Sequence, residues 1–268
     1  MEAKILDFGN AEKGKIKLPK QFEEDIRPDL IKRSVLAILS HKRQVYGASP
    51  EAGKRASAKI SRRRHDYKGS YGFGISRVPR KILLKRGTRM NWQGAIVPGT
   101  VGGRRSHPPK AEKIWWDKIN RKERKKAIRS AISATIIPEL VSERGHKVSK
   151  NYPLIIESKI EDVGKTKDVK DIMIKLGLGD ELKRCEKKKI RAGKGKLRGR
   201  KYKKKKGPLF VVSKKCRLIK SAGNIPGIDV CDVKEINAEL LAPGAVPGRL
   251  TLWSEGAVKL LEKERLFM

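Results

Sequence analysis

The chain has 268 residues, enough for one large domain or two small ones. Its 66 Lys and Arg against 29 Asp and Glu give a net charge of +37 at pH 7, so we expect a polyanionic partner, above all nucleic acid. No apolar run reaches the roughly 18 residues of a membrane span, and the first residues lack the apolar stretch of a secretory signal. The 3 cysteines contain no Cys-x-x-Cys pair, which argues against a disulfide framework or zinc ribbon and fits a reducing, intracellular compartment.

The basic charge is concentrated in two places. Residues 41–110, the first basic segment, carry 18 Lys and Arg against 2 acids. Residues 183–206, the second basic segment, carry 15 against 1. Because the remainder has an ordinary, slightly basic composition, we expect the function to lie in these two segments.

The N-terminal part predicts two short strands and a helix. Residues 3–8 and 15–18 indicate strands around a turn, and Pro28 is placed to begin a helix that ends near Lys42. The run 9–16 (GNAEKGKI) nearly matches a phosphate-binding loop, but Ile16 stands where that motif needs Ser or Thr. We therefore interpret this run as a basic hairpin turn.

In the first basic segment helical and strand periods mostly vanish, and glycine and proline are frequent. Such a long stretch in a compact domain is uncommon, and we expect it to become ordered against its partner. It mixes the run Arg62, Arg63 and Arg64 with aromatic residues. Arginine binds phosphate and stacks on bases, and aromatic rings stack on unpaired bases, so the mixture favours structured RNA over duplex DNA.

After Lys110 the pattern alternates between helices and strands. Asn120 with Glu123 predicts a capping box at the start of a helix that ends at Pro138 or Gly145. A buried strand at 154–156 precedes a helix that Gly177 stops.

Asp180 is predicted to cap a short helix that runs into the second basic segment. Strands follow at 209–212, 228–230 and 250–253, and Ser254 is predicted to cap a last helix through about Arg265. The predicted fold class is therefore α/β: a mainly parallel open sheet flanked by helices, with a long extended loop and a second basic insertion.

Within the second basic segment, the run 193–199 (GKGKLRG) is one residue too long for a dinucleotide-binding loop and follows no apolar strand. We interpret its glycines as allowing a basic backbone to approach phosphates closely. The run 201–206 (KYKKKK) also fits a nuclear localisation signal, but its position between predicted structured segments favours a phosphate-contacting insertion.

No catalytic, metal or cofactor site is predicted. None of His41, His65, His107 and His146 forms a His-Glu-x-x-His motif or pairs with cysteine at ligand spacing, and no Gly-x-Ser-x-Gly elbow is present. Two alternatives stay open: an RNA-modifying enzyme with a basic α/β domain, which a methyl donor would stabilise, and an architectural DNA-binding protein, which would bind duplex DNA and folded RNA alike.

Separate motifs recur along the chain: 73–80 (FGISRVPR), 87–89 (GTR), 93–95 (QGA), 102–109 (GGRRSHPP), 191–200 (RAGKGKLRGR), 237–241 (NAELL), 243–244 (PG) and 248–253 (GRLTLW). In this order they resemble universal large-subunit ribosomal protein four, in its archaeal and eukaryotic branch, and the length favours the archaeal type. The resemblance covers nearly the whole chain, and it departs at 81–86, where Ile82, Leu83 and Leu84 replace a glycine-rich stretch.

The resemblance implies a structural constituent of the large ribosomal subunit, cytoplasmic and not an enzyme. It implies binding to large-subunit ribosomal RNA, a role in its assembly, and a loop that lines the nascent-peptide exit tunnel. The implied partners are this RNA, neighbouring ribosomal proteins including ribosomal protein twenty-two at the tunnel, and transiently the nascent peptide. No cofactor, metal, membrane or homo-oligomer is expected.

The expected organisation is one discontinuous α/β domain (1–40 and 111–268), an extended loop that penetrates RNA (41–110) and a basic insertion (183–207). The resemblance places the loop tip around 69–92, with Tyr71, Phe73, Arg77 and Arg80 lining the tunnel. The predicted ribosomal RNA contacts are Arg55, Arg62, Arg63, Arg64, Tyr67, Lys68, Arg77, Arg80, Lys81, Arg86, Arg89, Trp92, Arg104, Arg105, Arg191, Lys194, Lys196, Arg198 and Arg200.

Overall fold

The structure, a computed structural model, describes residues 1–66, 69–87 and 89–268. The chain divides into two compact units. Met1–Lys42 and Trp116–Met268 form the first, here the sheet unit, and Arg43–Trp115 form the second, here the loop unit.

The sheet unit begins with a hairpin of β1 (Glu2–Leu6) and β2 (Glu12–Lys17), which pair antiparallel. The Asp7 amide donates to the Ala11 carbonyl at 2.9 Å in the turn. A strand follows the Gly-Lys pair where a phosphate-binding loop would open a helix, so the predicted basic hairpin is confirmed. Helix α1 (Pro28–His41) begins at the predicted proline, whose missing N–H costs nothing in the first turn.

The loop unit contains two strands that the sequence analysis missed. Strands β3 (Arg80–Arg86) and β4 (Arg89–Gly94) pair antiparallel. The expectation that regular structure mostly vanishes across the first basic segment is therefore wrong here.

Helices α2 (Arg121–Ala134) and α3 (Pro138–Glu143) follow in the sheet unit. Asn120 occupies the predicted cap position, but its side chain accepts no capping hydrogen bond from the helix. Glu123 instead lies 3.0 Å from the Arg33 guanidinium. The capping box was thus wrong, and Pro138 begins a separate helix because proline suits a first turn better than an interior.

Strand β5 (Leu154–Ile156), helix α4 (Thr166–Lys175) and helix α5 (Gly179–Glu186) come next. Leu178, not Asp180, holds the cap position of α5. Asp180 lies in the first turn, where a carboxylate is favoured by the helix dipole, so its predicted capping role was wrong.

The second basic segment is framed by a short antiparallel pair, β6 (Lys189–Ile190) and β7 (Tyr202–Lys203). The remaining strands are β8 (Leu209–Val212), β9 (Asp229–Asp232) and β10 (Thr251–Ser254). Helices α6 (Leu218–Gly223), α7 (Ala238–Leu241) and α8 (Glu255–Lys263) lie among them. The Ser254 hydroxyl accepts the Ala257 amide at 3.1 Å, which confirms Ser254 as the cap of the last helix.

The central sheet has six strands in the order β2-β1-β5-β10-β8-β9. All neighbouring pairs are parallel except β1 with β2 at the edge. The inner strands β5 and β8 are apolar and buried at every position because helices cover both faces of the sheet. Ile155 and Trp253 pack in one core with α1, α2 and α8, whereas Ile156 and Phe210 pack in the other with α4 and α6. The predicted α/β class with a mainly parallel sheet is confirmed.

All three cysteines are free thiols, as predicted. Burial raises the pKa of Cys185 to about 11 and that of Cys231 to about 12, so both stay protonated at neutral pH. Among the described residues, every helix is too short or too polar to cross a bilayer.

Candidate RNA interface

The β3–β4 hairpin presents apolar side chains to solvent. Ile82 lies opposite Trp92 and Leu84 opposite Asn91, so Leu83 is an extra residue that forms a bulge. Leu83 and Leu84 are each 58% exposed. A hairpin that buries so little apolar surface gives no clear alternating pattern, which explains why the sequence did not reveal it.

Backbone contacts hold together two segments of the loop unit, residues 47–53 and 104–111, here called its limbs. The Ala48 amide donates to the Pro109 carbonyl at 2.9 Å. A Cβ at Gly47 would lie 2.6 Å from the Ala111 nitrogen, and one at Gly53 would lie 2.4 Å from the Arg104 nitrogen. The loop unit therefore has internal packing of its own, beyond any order imposed by a partner.

A cation and two aromatic rings stack where these limbs begin and end. The Arg43 guanidinium lies 4.6 Å from the Trp115 ring centroid and 5.6 Å from that of Tyr46. The two rings are themselves 4.7 Å apart. Neither Arg43 nor Tyr46 is among the residues predicted from the sequence, although an arginine and an aromatic residue at the border of a basic segment were the available signal.

The predicted tunnel residues differ in how much of each side chain is free. The guanidinium of the exposed Arg77 lies 4.5 Å from the ring centroid of the half-buried Tyr71, which forms a cation–π pair. The Arg80 guanidinium lies 5.5 Å from the Trp92 ring centroid and donates to the Ser76 carbonyl at 2.8 Å, so it already makes contacts within the loop unit. Phe73 is 71% exposed and can stack on a flat partner.

A hollow of about 570 Å³ lies beside Phe73 in the loop unit. Arginines and aromatic rings share its lining, the combination that unpaired bases favour. The charged and aromatic lining residues are Arg63, Arg64, His65, Asp66, Tyr71 and Phe73.

Most predicted contacts of the loop unit point to solvent, and three do not. Lys81, Arg80 and Trp92 are half-buried. The predictions for Tyr67 and Lys68 lie outside the described residues. The exposed members are Arg55, Arg62, Arg63, Arg64, Arg77, Arg86, Arg89, Arg104 and Arg105.

In the second basic segment Arg191 organises the turn. Its Nε donates to the Arg200 carbonyl at 2.9 Å. A Cβ on Gly195 would lie 2.8 Å from the Arg191 Cδ, so a side chain at that position would displace the arginine side chain. The other predicted contacts of this segment are exposed: Lys194, Lys196, Arg198 and Arg200.

A buried ionic network anchors this segment to the sheet unit. Glu181, with a fully buried side chain, lies 2.7 Å from His146 Nδ1 and 2.6 Å from Arg184 Nη2. Burial opposes ionisation of Glu181, yet hydrogen bonds from Arg184 and His146 lower its carboxyl pKa to about 2. Burial lowers the pKa of His146, so its ring is neutral at pH 7 and Nδ1 donates to the carboxylate.

The exposed Lys and Arg side chains and the aromatic rings described above suit RNA binding better than catalysis. His146 is committed to its buried carboxylate partner. Within the described residues, no group of three or more His, Cys, Asp and Glu side chains is placed to hold a metal ion.

Comparisons with known proteins find similarity along nearly the whole chain. The model of the ribosomal protein L4/L1 family matches residues 16–264. The large ribosomal subunit protein uL4 of Nanoarchaeum equitans is 49% identical over 268 residues, 100% of both chains. The proteins of the same name from Archaeoglobus fulgidus and Methanocaldococcus jannaschii are 44% and 47% identical, and the matches cover 97–99% of this chain and 98–99% of theirs.

Proposed function

The chain belongs to the ribosomal protein L4/L1 family, and we propose that it is a structural constituent of the large ribosomal subunit, bound to that subunit's RNA. The observation that supports this most is identity over the full length with proteins named for that subunit. The role is structural rather than enzymatic, and its place is the large subunit in the cytoplasm. The two alternative functions, an RNA-modifying enzyme and a DNA-binding protein, gain no support from these relatives.

Binding rests on the two basic segments. Their Lys and Arg side chains neutralise RNA phosphates and release counterions, so affinity falls steeply as salt rises. The exposed contacts of both segments reach phosphates, and Tyr71 and Phe73 offer rings for unpaired bases. The proposed contact set is the predicted one, with Arg80 and Arg191 acting mainly by shaping the backbone around them.

The domain assignment carries over as part of this proposal. Residues 41–110 form the RNA-penetrating loop, and 183–207 form an insertion in the α/β domain (1–40 and 111–268). By bridging RNA segments that are distant in sequence, the loop supports assembly of the subunit.

The finer proposal concerns the exit tunnel. Tyr71, Phe73, Arg77 and Arg80 line its wall, next to ribosomal protein twenty-two, and touch the nascent peptide transiently. The exposed Phe73 ring and the Arg77–Tyr71 pair support this assignment because they offer apolar and cationic surface without further rearrangement.

RNA selectivity tests the proposal. Binding of the full chain to transcribed archaeal large-subunit ribosomal RNA is compared with binding to small-subunit RNA and to duplex DNA at equal salt. We expect at least tenfold tighter binding to large-subunit RNA. Equal affinity for all three would overturn the proposal, and stabilisation of the chain by a methyl donor would favour the enzyme alternative.

A further inference from the structure

A cationic cleft of about 790 Å³ lies in the sheet unit, and none of the nineteen individually predicted contact residues lines it. Lys187, Lys189 and residues 203–206, a run of four lysines, line it together. Lys189 is the register partner of Lys203 in the β6–β7 pair, so the lysines from the two ends of the second basic segment are neighbours there. Glu143 is the acidic residue in the lining, so the cleft is strongly positive.

Buried groups fix the end of the lysine run at Lys206. Arg184 Nη2 donates to the Lys206 carbonyl at 2.7 Å, and the same guanidinium is bound to the buried Glu181. The Lys206 ammonium lies 3.1 Å from Asp229, which is also bound to Arg249. The run 203–206 is therefore held at one end by this network and at the other by the pairing of Lys203 with Lys189.

Arg144 adds a half-buried positive charge without a carboxylate partner. Its guanidinium donates to the carbonyls of Pro243 and Val246, and it forms no ion pair with any carboxylate in the described part of the chain. Burial and the nearby charges of Arg249 and Arg184 lower the pKa of Arg144 to about 10. An anion in the cleft would offset both effects.

We propose that this cleft binds the phosphodiester backbone of an RNA strand, with two or more successive phosphates among its lysines. The inference rests on the proposed function and deepens it: the sequence predicted phosphate contacts for the run 201–206, and the cleft brings lysines of that run together with Lys187, Lys189 and Arg144 in one site. The cleft opens beside the β6–β7 pair, so one RNA strand can follow the positive surface from the exposed arginines of the second basic segment into it.

An acidic protein segment fits this cleft less well. Peptides bind clefts through apolar anchors or by adding a strand to a sheet edge, and β6 and β7 are only two residues long. The lining offers Pro243 and Val246 as apolar contacts, and the carbonyls at this turn are already bound by Arg144. A strand of evenly spaced phosphates needs neither anchor nor edge.

The test uses matched triple substitutions in the full chain. K187Q/K189Q/K204Q removes three charges from the cleft, and K167Q/K170Q/K175Q removes three exposed charges from helix α4. Binding to transcribed archaeal large-subunit ribosomal RNA is measured from low to high salt. We expect the cleft triple to reduce the log–log salt slope by about two to three and to weaken binding at least tenfold at about 0.1 M salt, and the control to do neither.

A single substitution tests whether RNA affinity rises when the cleft becomes more positive. Glu143→Gln removes the negative charge from the cleft and should strengthen RNA binding severalfold, an effect that a purely structural role would not produce. All substituted side chains are exposed, so thermal unfolding should match that of the unmodified chain.

Three results would overturn the inference. Equal losses in both triples would mean that only net charge matters. Unchanged RNA binding with lost binding to poly-L-glutamate in the cleft triple would identify an acidic protein segment as the occupant. If the unmodified chain shows no preference for large-subunit RNA, the proposed function fails and the cleft assignment with it; the first two results leave that function standing.

Discussion

Arg249 Nη2 donates a 2.6 Å hydrogen bond to the Asp229 carboxylate, although Arg249 is among the most deeply buried side chains of the sheet unit. Its Nε donates to the Gly207 carbonyl at 2.9 Å, and its Nη1 donates to the Leu240 carbonyl at 2.8 Å. One guanidinium therefore ties the start of β10 to the residues before β8 and to helix α7. Burial opposes ionisation of Asp229, but the charge of Arg249 lowers its pKa.

Replacing this arginine should be among the most destabilising single changes in the sheet unit. Arg249→Met leaves Asp229 paired with Lys206 and removes the donors to the carbonyls of Gly207, Pro208 and Leu240, so the free energy of unfolding should fall by about 3–5 kcal/mol. Denaturant titration measures it, with exposed Arg198→Met as the control, expected within about 0.5 kcal/mol. If Arg249→Met lowered the free energy of unfolding no more than Arg198→Met does, Arg249 would not stabilise the sheet unit in this way.

The Glu181 network predicts a defined pH dependence. The carboxyl pKa of about 2 lies below its ordinary 4.5, so the ionised group stabilises the folded state above about pH 4.5, and this contribution is lost as pH falls towards 2. Glu181→Gln should cost about 3 kcal/mol at pH 7, and the difference should shrink steadily below pH 4.5. Unfolding free energies at several pH values measure it.

A control on the same helix isolates that effect. Asp180→Asn removes a carboxylate that is 80% exposed and pairs with the exposed Lys183, so its pH profile should follow that of the unmodified chain. A difference for Glu181→Gln that stays constant from pH 7 to pH 3 would contradict the assignment of acid sensitivity to Glu181.

Gly207 should tolerate no side chain. A Cβ there would lie 2.6 Å from the Cys185 sulfur and 3.0 Å from the Gly227 carbonyl oxygen. We expect Gly207→Ala to lower the free energy of unfolding, measured by denaturant titration, by about 1–3 kcal/mol. The loss should be about 1 kcal/mol smaller when Cys185→Ala has first removed the sulfur. Gly223→Ala, where a Cβ would meet nothing within 4 Å, serves as the neutral control. Additive effects of the two changes would show that no steric conflict exists.

The contact between the limbs of the loop unit gives a prediction about its internal order. Gly53 combines a φ of +76° with backbone 2.4 Å from the site of a Cβ, whereas Gly99 has a φ of +88° and open space. Gly53→Ala should therefore separate the limbs, and Gly99→Ala should cause only the conformational strain of alanine. Hydrogen exchange at the Ala48 amide, bonded to the Pro109 carbonyl, should rise at least tenfold more in the first variant. Equal exchange rates would mean that the limbs do not depend on this contact.

The buried framework was readable from the sequence because its strands are short apolar runs between amphipathic helices. Leu209–Val212 and Leu154–Ile156 are buried at every position, which favours inner strands of a parallel sheet. The helix N-caps were harder to predict from the sequence. Ser254 caps a helix as predicted, but Asn120 makes no such bond, because side-chain geometry and competing partners decide each case.

The charged interior could not be read from the sequence. Arg249 looks like one more basic residue until the fold brings Asp229, 20 residues away, to its guanidinium. Glu181 and His146 are 35 residues apart and meet only in the folded sheet unit. The same limit applies to the cleft, whose lysines belong to a charge run that the sequence shows without its geometry.

Sedimentation of the tagged chain from an archaeal lysate tests the central claim, membership of the large ribosomal subunit. Gradients are run at low magnesium, where subunits separate, and again in high salt. The account predicts that the chain travels with the large subunit, resists salt that removes loosely bound basic proteins, and gains protease resistance over residues 41–110 only in that fraction. A chain that stays with free protein at the top of both gradients would contradict it.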